Sequence, residues 1–191
     1  MKRFLSILLL TMLTFSLTAC SYFTKKESDK DQSVAVSALD LLSTVWDSYG
    51  DDERFPVSGG DMSEENLVVD GPGKFDTQET DGLDATLGFP ASSAFNIDDA
   101  ASLVHMMNAN TFTCGVYHVE SGNDNGELTN AIRDNILKRQ WMCGFPDKLI
   151  IVEIDDYIVS FFGEKSIVNT FLEKISAVYP TAVKVCERSI S

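Results

Sequence analysis

Residues 148–162, KLIIVEIDDYIVSFF, constrain the fold more than any other stretch of this chain. Two apolar runs flank Asp155-Asp156, and neither alternates with polar residues as a half-exposed strand would. Runs of this length, rich in β-branched and aromatic side chains, are strands buried on both faces or lying near the centre of a sheet. Joined by two acids, they form a hairpin.

The flanking segments continue an alternation of strand and helix. Thr111 to Glu120 alternates and is rich in β-branched and aromatic residues, which predicts a strand. Ser121 to Gly126 is a turn. Glu127 to Met142 then places Leu128, Ala131, Ile132 and Ile136 on one helical face, with Gly144-Phe145-Pro146-Asp147 as the breaker. Lys165 to Tyr179 is a second helix that buries Ile167, Val168, Phe171, Leu172, Ile175 and Val178. Pro180 stops it, and Thr181 to Glu187 is the last strand. The order β-α-β-β-α-β is that of the ferredoxin-like split βαβ unit. Right-handed crossovers would place both of its helices on one face of a four-stranded antiparallel sheet. The expected class is α+β.

Two more helices are expected upstream. Val34 to Tyr49 repeats its apolar residues at helical spacing and ends at Gly50. Asn96 reads as an N-cap, with Asp98 and Asp99 in the first turn. Ile97, Ala100, Ala101, Val104 and Met107 form a stripe, so 97–109 is expected to be helical. Both would lie outside the four-stranded unit, against its other face or an edge. From Asp47 to Asp84 there are twelve acids against Arg54 and Lys74, and Gly71-Pro72-Gly73 marks a turn. Within this segment Asn66 to Val69 fits a short strand, and Met62 to Leu67 fits a helical turn capped by Ser63.

The first twenty residues, MKRFLSILLLTMLTFSLTAC, are an export leader: Lys2 and Arg3 precede an apolar run too short for a transmembrane helix. Leu17-Thr18-Ala19-Cys20 resembles the lipobox of bacterial lipoproteins. The resemblance implies cleavage before Cys20 and acylation of its thiol, with a membrane anchor on the extracytoplasmic side. Each buried methylene contributes about 0.8 kcal/mol, so the several acyl chains of such an anchor hold stably where one would not. The polar stretch Ser21 to Ser33 reads as a tether. The plan is a leader over 1–19, a lipidated Cys and tether over 20–33, a helix and acidic segment over 34–96, and an α+β domain over 97–191.

The chain carries 29 acids against 15 bases, a net charge of −14, and loss of the leader removes only bases. Nucleic-acid phosphates need basic patches, so nucleic acid is excluded as a partner. An anionic bilayer repels such a body, which therefore stands off the surface.

The lipobox, the charged tether, an early helix, and a block running through GELTNAIRDNILKRQ and KLIIVEIDDYIVSFFG into a helix occur in one order. That arrangement is similar to small Gram-positive surface lipoproteins of unknown function, some labelled bacteriocin transport accessory. The resemblance spans roughly residues 97–179. It implies an extracytoplasmic lipoprotein without established catalysis, and it assigns no functional residues.

Outside the cytoplasm disulfides persist. Cys114 shares strand parity with Phe112 and Val116, and Cys143 lies on the stripe of Ile132 and Ile136, so the two are expected to meet in the helix–sheet core. A Cys114–Cys143 disulfide would contribute about 2–4 kcal/mol. Cys186 has the parity of Lys184 and is expected to face away. His105, Met106, Met107, His118 and Cys114 have the soft ligand chemistry of copper. Contiguous residues cannot all chelate from one regular helix, and Met107 is expected to fill the core. Asp51-Asp52-Glu53 and Glu64-Glu65 invite calcium, but the calcium-loop spacing around Gly126 fails at Ile132. Ser58-Gly59-Gly60 reads as a flexible loop. With no P-loop, nucleophile elbow or metalloprotease helix present, no catalytic, metal or cofactor site is expected.

The functional expectation is a lipid-anchored accessory or binding module that meets another envelope protein through one sheet face or the acidic segment. Two alternatives remain. One is an envelope hydrolase lined by Asp155, Asp156, His118 and Glu120. The other is a cation sensor using the acids at 47–84.

Overall fold

The computed structural model describes residues 37–190 except residue 143. The leader, Cys20, the tether to residue 33 and Cys143 lie outside the described residues.

The expected hairpin is present. β6 (Lys148–Ile154) and β7 (Tyr157–Gly163) pair antiparallel across the turn, with Ile154 opposite Tyr157. Asp155 takes a left-handed φ of 51°, which a short polar side chain tolerates. Around this hairpin lies an antiparallel sheet built from β1 (Val57–Gly59), β2 (Val68–Val69), β3 (Gly73–Lys74), β4 (Ile97–His105), β5 (Phe112–Val119) and β8 (Val183–Ser189). The order across it is β2-β1-β4-β5-β7-β6-β8, and β3 pairs with β4 beyond the end of β1. The main helices are α1 (Ala38–Asp47), α2 (Asn125–Lys138) and α3 (Lys165–Val178). The class is α+β, as expected.

Residues 97–105 are a strand rather than a helix. A bulge between Ile97 and Asp99 shifts the pairing with β5 by one residue. Ile97 and Ala100 therefore face one side while Ala101 and Leu103 face the other. A strand buried on both faces and offset by a bulge shows apolar residues three and four apart, which imitates helical spacing.

That strand changes the topology. A ferredoxin-like unit would set the last strand beside the first; here β4 occupies that place and β8 lies at the opposite margin, beyond β6. The crossovers β5-α2-β6 and β7-α3-β8 both step the same way along the sheet, each passing over one strand. Their starting strands, β5 and β7, are antiparallel neighbours. Two right-handed crossovers with the same step and opposite strand directions must lie on opposite faces. The expectation of two helices on one face is thus overturned. Leu128, Ile132 and Ile136 of α2 pack on one side with Leu83, Leu87 and Phe89, against Tyr117, Leu149, Ile151 and Phe162. Val168, Phe171 and Ile175 of α3 pack on the other with Leu41, Leu42 and Trp46 of α1, against Phe112, Val116, Ile150 and Phe161. Both faces of the central strands are covered, and exposed sheet surface among the described residues is confined to the outer strands β2 and β8.

The acidic segment is ordered by side-chain hydrogen bonds. Of the two alternative readings of its middle, the turn holds over 64–66, where Ser63 Oγ accepts from Asn66 N–H (3.2 Å), and the strand is confined to Val68–Val69, β2. Ser58 and Gly59 lie in a strand, not a loop. A Cβ on Gly59 would fall 2.1 Å from the backbone nitrogen of Gly73, so only glycine permits β1 and β3 to approach. The buried Ser102 hydroxyl joins them, accepting from Gly60 N–H (2.8 Å) and donating to Gly60 O (3.1 Å).

Cys186 is buried on the α2 side, while Val183 and Val185 are exposed, the reverse of the expected parity. α2 reaches far enough to cover β8, whereas α3 lies over β6 and β7.

Candidate binding surfaces at the two ends of the sheet

The sheet has two ends. The near end is where Ser37 enters α1, and the bulge in β4 shapes it by aiming both Asp98 and Asp99 toward α1 and His118. Asp98 Oδ1 lies 2.5 Å from His118 Nδ1. Asp99 Oδ2 accepts from Ala38 N–H (2.7 Å), placing an anion at the positive end of α1. Ser37 caps the same helix, accepting from Asp40 N–H. Tyr157, opposite His118 in register, packs its ring 4.9 Å from the imidazole. Burial pushes the Tyr157 hydroxyl up, and the charges of Asp99, Asp98, Asp40 and Asp156 push it further.

All four residues of the hydrolase alternative fall at this end. The imidazole, however, is held by Asp98, not by Asp155, Asp156 or Glu120, all three of which are exposed around the turn and strand end. A His fixed by a carboxylate through Nδ1 can accept a proton at Nε2, the base half of a hydrolytic device. Asp98 was missed in the sequence because the acid pair resembled the first turn of a helix.

The copper set is dispersed along the sheet. His105, Met106 and Met107 lie where β4 ends, and His118 lies near the end of β5 at the opposite extremity. His105 Nδ1 accepts from Met107 N–H (3.2 Å), closing the loop. Met107 is 80% exposed instead of filling the core. Among the described residues no group of three or more His, Cys, Asp or Glu is placed to hold a metal.

Cys114 forms no disulfide among the described residues; it is fully buried on the face covered by α1 and α3, and burial pushes its pKa well up. The chain leading to residue 143 leaves α2, which packs on the opposite face. Cys143 itself, and with it the expected pairing, lies outside the described residues.

Among the acids, Asp61 organises its own loop. Oδ1 accepts from Ser63 N–H (3.0 Å), and Oδ2 accepts from Asn66 Nδ2 (2.6 Å) and Asp76 N–H (3.0 Å). Desolvation pushes this carboxyl up, but the hydrogen bonds from Ser63, Asn66 and Asp76 outweigh it and hold its pKa at about 2. Nearby, Glu65, Asp76, Asp98, Asp99 and Lys74 line a cleft of about 330 Å³.

The far end is formed by the β4–β5 loop, the loop between α2 and β6, and the β7–α3 junction. Asn110 sews the first two together: its Nδ2 donates to Met142 O and to Gly144 O, both at 2.9 Å. Thr111 O accepts from Glu164 N–H (2.9 Å), and Gly163 O accepts from Asp147 N–H (2.9 Å). Onto this frame the chain puts Met107, Met142 and Phe145, which are 80%, 80% and 68% exposed. Between the loops lies a cleft of about 160 Å³ whose walls include Thr111, Phe145, Asp147 and Glu164. In the core next to Thr111, Phe112 packs edge-on to Phe55 and against Phe171, and His105 stacks on Phe55 at 5.7 Å. In the sequence Gly144-Phe145-Pro146-Asp147 reads only as a helix breaker. The signal that could have marked this end was Met-Met and Met-x-x-Phe in segments expected to be turns.

Compared with known proteins, the chain matches no family model, no curated protein and no solved structure.

Proposed function

We propose that this chain is a lipid-anchored, extracytoplasmic binding module of the bacterial cell envelope, without catalysis of its own. Cys20, acylated, holds it to the membrane, and the far end of its sheet meets another envelope protein. One observation carries the reading: Met107, Met142 and Phe145 stand in water on a braced frame at the end of the sheet opposite Ser37. Large apolar side chains held exposed on an ordered frame suit a contact surface. The likeness to small surface lipoproteins agrees with this assignment, and so does the leader ending in Leu17-Thr18-Ala19-Cys20.

The test is photo-crosslinking from position 142 on intact cells expressing the full chain. A discrete adduct with one envelope protein is expected, and an adduct pattern no different from that of a probe at Phe95 would overturn the reading. In parallel, Cys20→Ala should abolish fatty-acid labelling and release the protein from membranes; unchanged fractionation would remove the anchor.

A further inference from the structure

The bases of this acidic chain are not spread evenly. Against 29 acids it has only 15 bases, yet four of them meet where β8, the start of β6 and the start of α3 come together. Three converge on Glu187. Lys148 Nζ lies 2.5 Å from its Oε1, Lys184 Nζ donates to its Oε2, and Arg188 Nη1 donates to its carbonyl oxygen (2.7 Å). The fourth, Lys165, lines a cleft of about 230 Å³ with Lys148, Arg188, Glu187 and Asp147.

Stitching β8 to β6 needs one lysine, and Lys148 supplies it, donating also to Asn169 Oδ1 (2.8 Å). Glu187 thus answers two ammonium groups with one charge. Their hydrogen bonds hold its pKa at about 2, so it stays ionised. Asp147 Oδ2 accepts from the backbone N–H of Lys165 (3.0 Å) and so serves the positive end of α3. Glu164 lines the adjoining cleft, not this one, and accepts from the Ser166 hydroxyl. Neither the Lys165 ammonium nor the Arg188 guanidinium belongs to any ion pair among the described residues. Four cations against two carboxylates leave this margin positive in a chain of net charge −14.

That setting selects the ligand. A long polyanion or an anionic bilayer would also meet the surplus acids of the remaining surface and be repelled, so the anion is small. A phosphate monoester carries about −1.5 to −2 at pH 7 and three acceptor oxygens, enough for two cations. A carboxylate or a phosphodiester, with a single charge, would leave one cation unanswered. Guanidinium and ammonium groups together suit phosphate oxygens, the first as a planar fork and the second as a point charge.

We propose that the cleft between β8 and the start of α3 binds the phosphate of a small phosphorylated molecule, with Lys165 and Arg188 as its charge partners. The site does not depend on Met107, Met142 or Phe145, so it and the protein contact at the far end fail or stand separately.

The experiment is a calorimetric titration of the full lipidated chain in discs of zwitterionic lipid at fixed ionic strength, with empty discs as the blank. The probe is glycerol 3-phosphate; dimethyl phosphate, acetate and glycerol are the comparisons. Saturable binding of glycerol 3-phosphate is expected, with each comparison weaker by about tenfold or more. Lys165→Gln and Arg188→Gln should each weaken it about tenfold, whereas Lys74→Gln, at an exposed base on β3, should not. Unfolding midpoints identify any variant that fails to fold. The native chain gives a second readout: glycerol 3-phosphate should protect Lys165 from acetylation, read by mass spectrometry, and leave Lys74 unprotected.

Equal binding of acetate or dimethyl phosphate, or undiminished binding by both folded variants, would reduce the effect to diffuse attraction and overturn the proposal. Binding to phosphatidylglycerol vesicles in place of glycerol 3-phosphate would assign the cations to a lipid headgroup instead. Absence of both heat and protection would leave the four bases as solvated surface charges and end the proposal.

Discussion

At the near end of the sheet the polar groups satisfy one another. Asp98 is turned onto His118 and Asp99 onto an N–H at the start of α1, so the acids of β4 are spent within the fold. At the far end a side-chain amide, Asn110, satisfies the loop carbonyls, and large apolar groups are left facing water. Both ends are ordered, but by different means. The difference teaches that ordering a loop and burying its side chains are separable: Asn110 fixes the backbone through hydrogen bonds and leaves the methionines free to be covered by something else.

The comparison can be broken most forcefully through the floor of the far end. Phe112→Ala removes a ring that is fully buried between Phe55 and Phe171. It should cost about 3–5 kcal/mol in urea unfolding. A loss below about 1 kcal/mol would mean that this aromatic cluster is not tightly packed.

Asn110→Ala should cost about 1–2 kcal/mol, since it strips two carbonyls of a donor. Hydrogen exchange should rise selectively over residues 139–147, with β6 and β7 unchanged. Exchange spread evenly over the sheet would contradict the brace. At the near end, Asp99→Ala should cost about 1 kcal/mol by leaving the start of α1 without its anion. Its exchange signature should be confined to the first turn of that helix.

The Asp61 loop responds to pH. Its folded pKa of about 2 lies below the value of about 3.9 for a free aspartate. The stabilisation it gives is therefore complete above about pH 4 and is lost as pH falls through about 2. Acid titration of Asp61→Asn should show a shallower loss of stability across that window than the unmodified chain; an identical slope would contradict the assignment. The smallest effect is expected from Met107→Ser and Met142→Ser, within about 0.5 kcal/mol each. A larger destabilisation would show that these side chains are part of the core after all.

The sequence made the hairpin around Asp155-Asp156 legible because nothing interrupts its two runs, and β5, α1, α2 and α3 were legible from their periodicity. β4 was not. One inserted residue at Asp98 shifted its register, and its small residues, Ala100, Ala101 and Ser102, carry little strand signature of their own. From that single misreading came the wrong strand order and the wrong side for one helix, because β4 fills the place expected for β8. The parity of Cys186 is not legible from the neighbouring valines, because a register shift against β6 leaves Val185 unpaired and breaks the alternation between Lys184 and Cys186. Of the surfaces, His118 was legible as a chemical group. Its partner Asp98 and the brace Asn110 were not, since both depend on which loops come together in three dimensions.

Because the two crossovers step the same way, the central strands are wrapped above and below. The short connecting segments at the tips then stand as loops displayed on a rigid frame. Those segments can exchange residues with little effect on the interior, so a lineage built on this plan is free to change what it grips while keeping the frame that does the gripping.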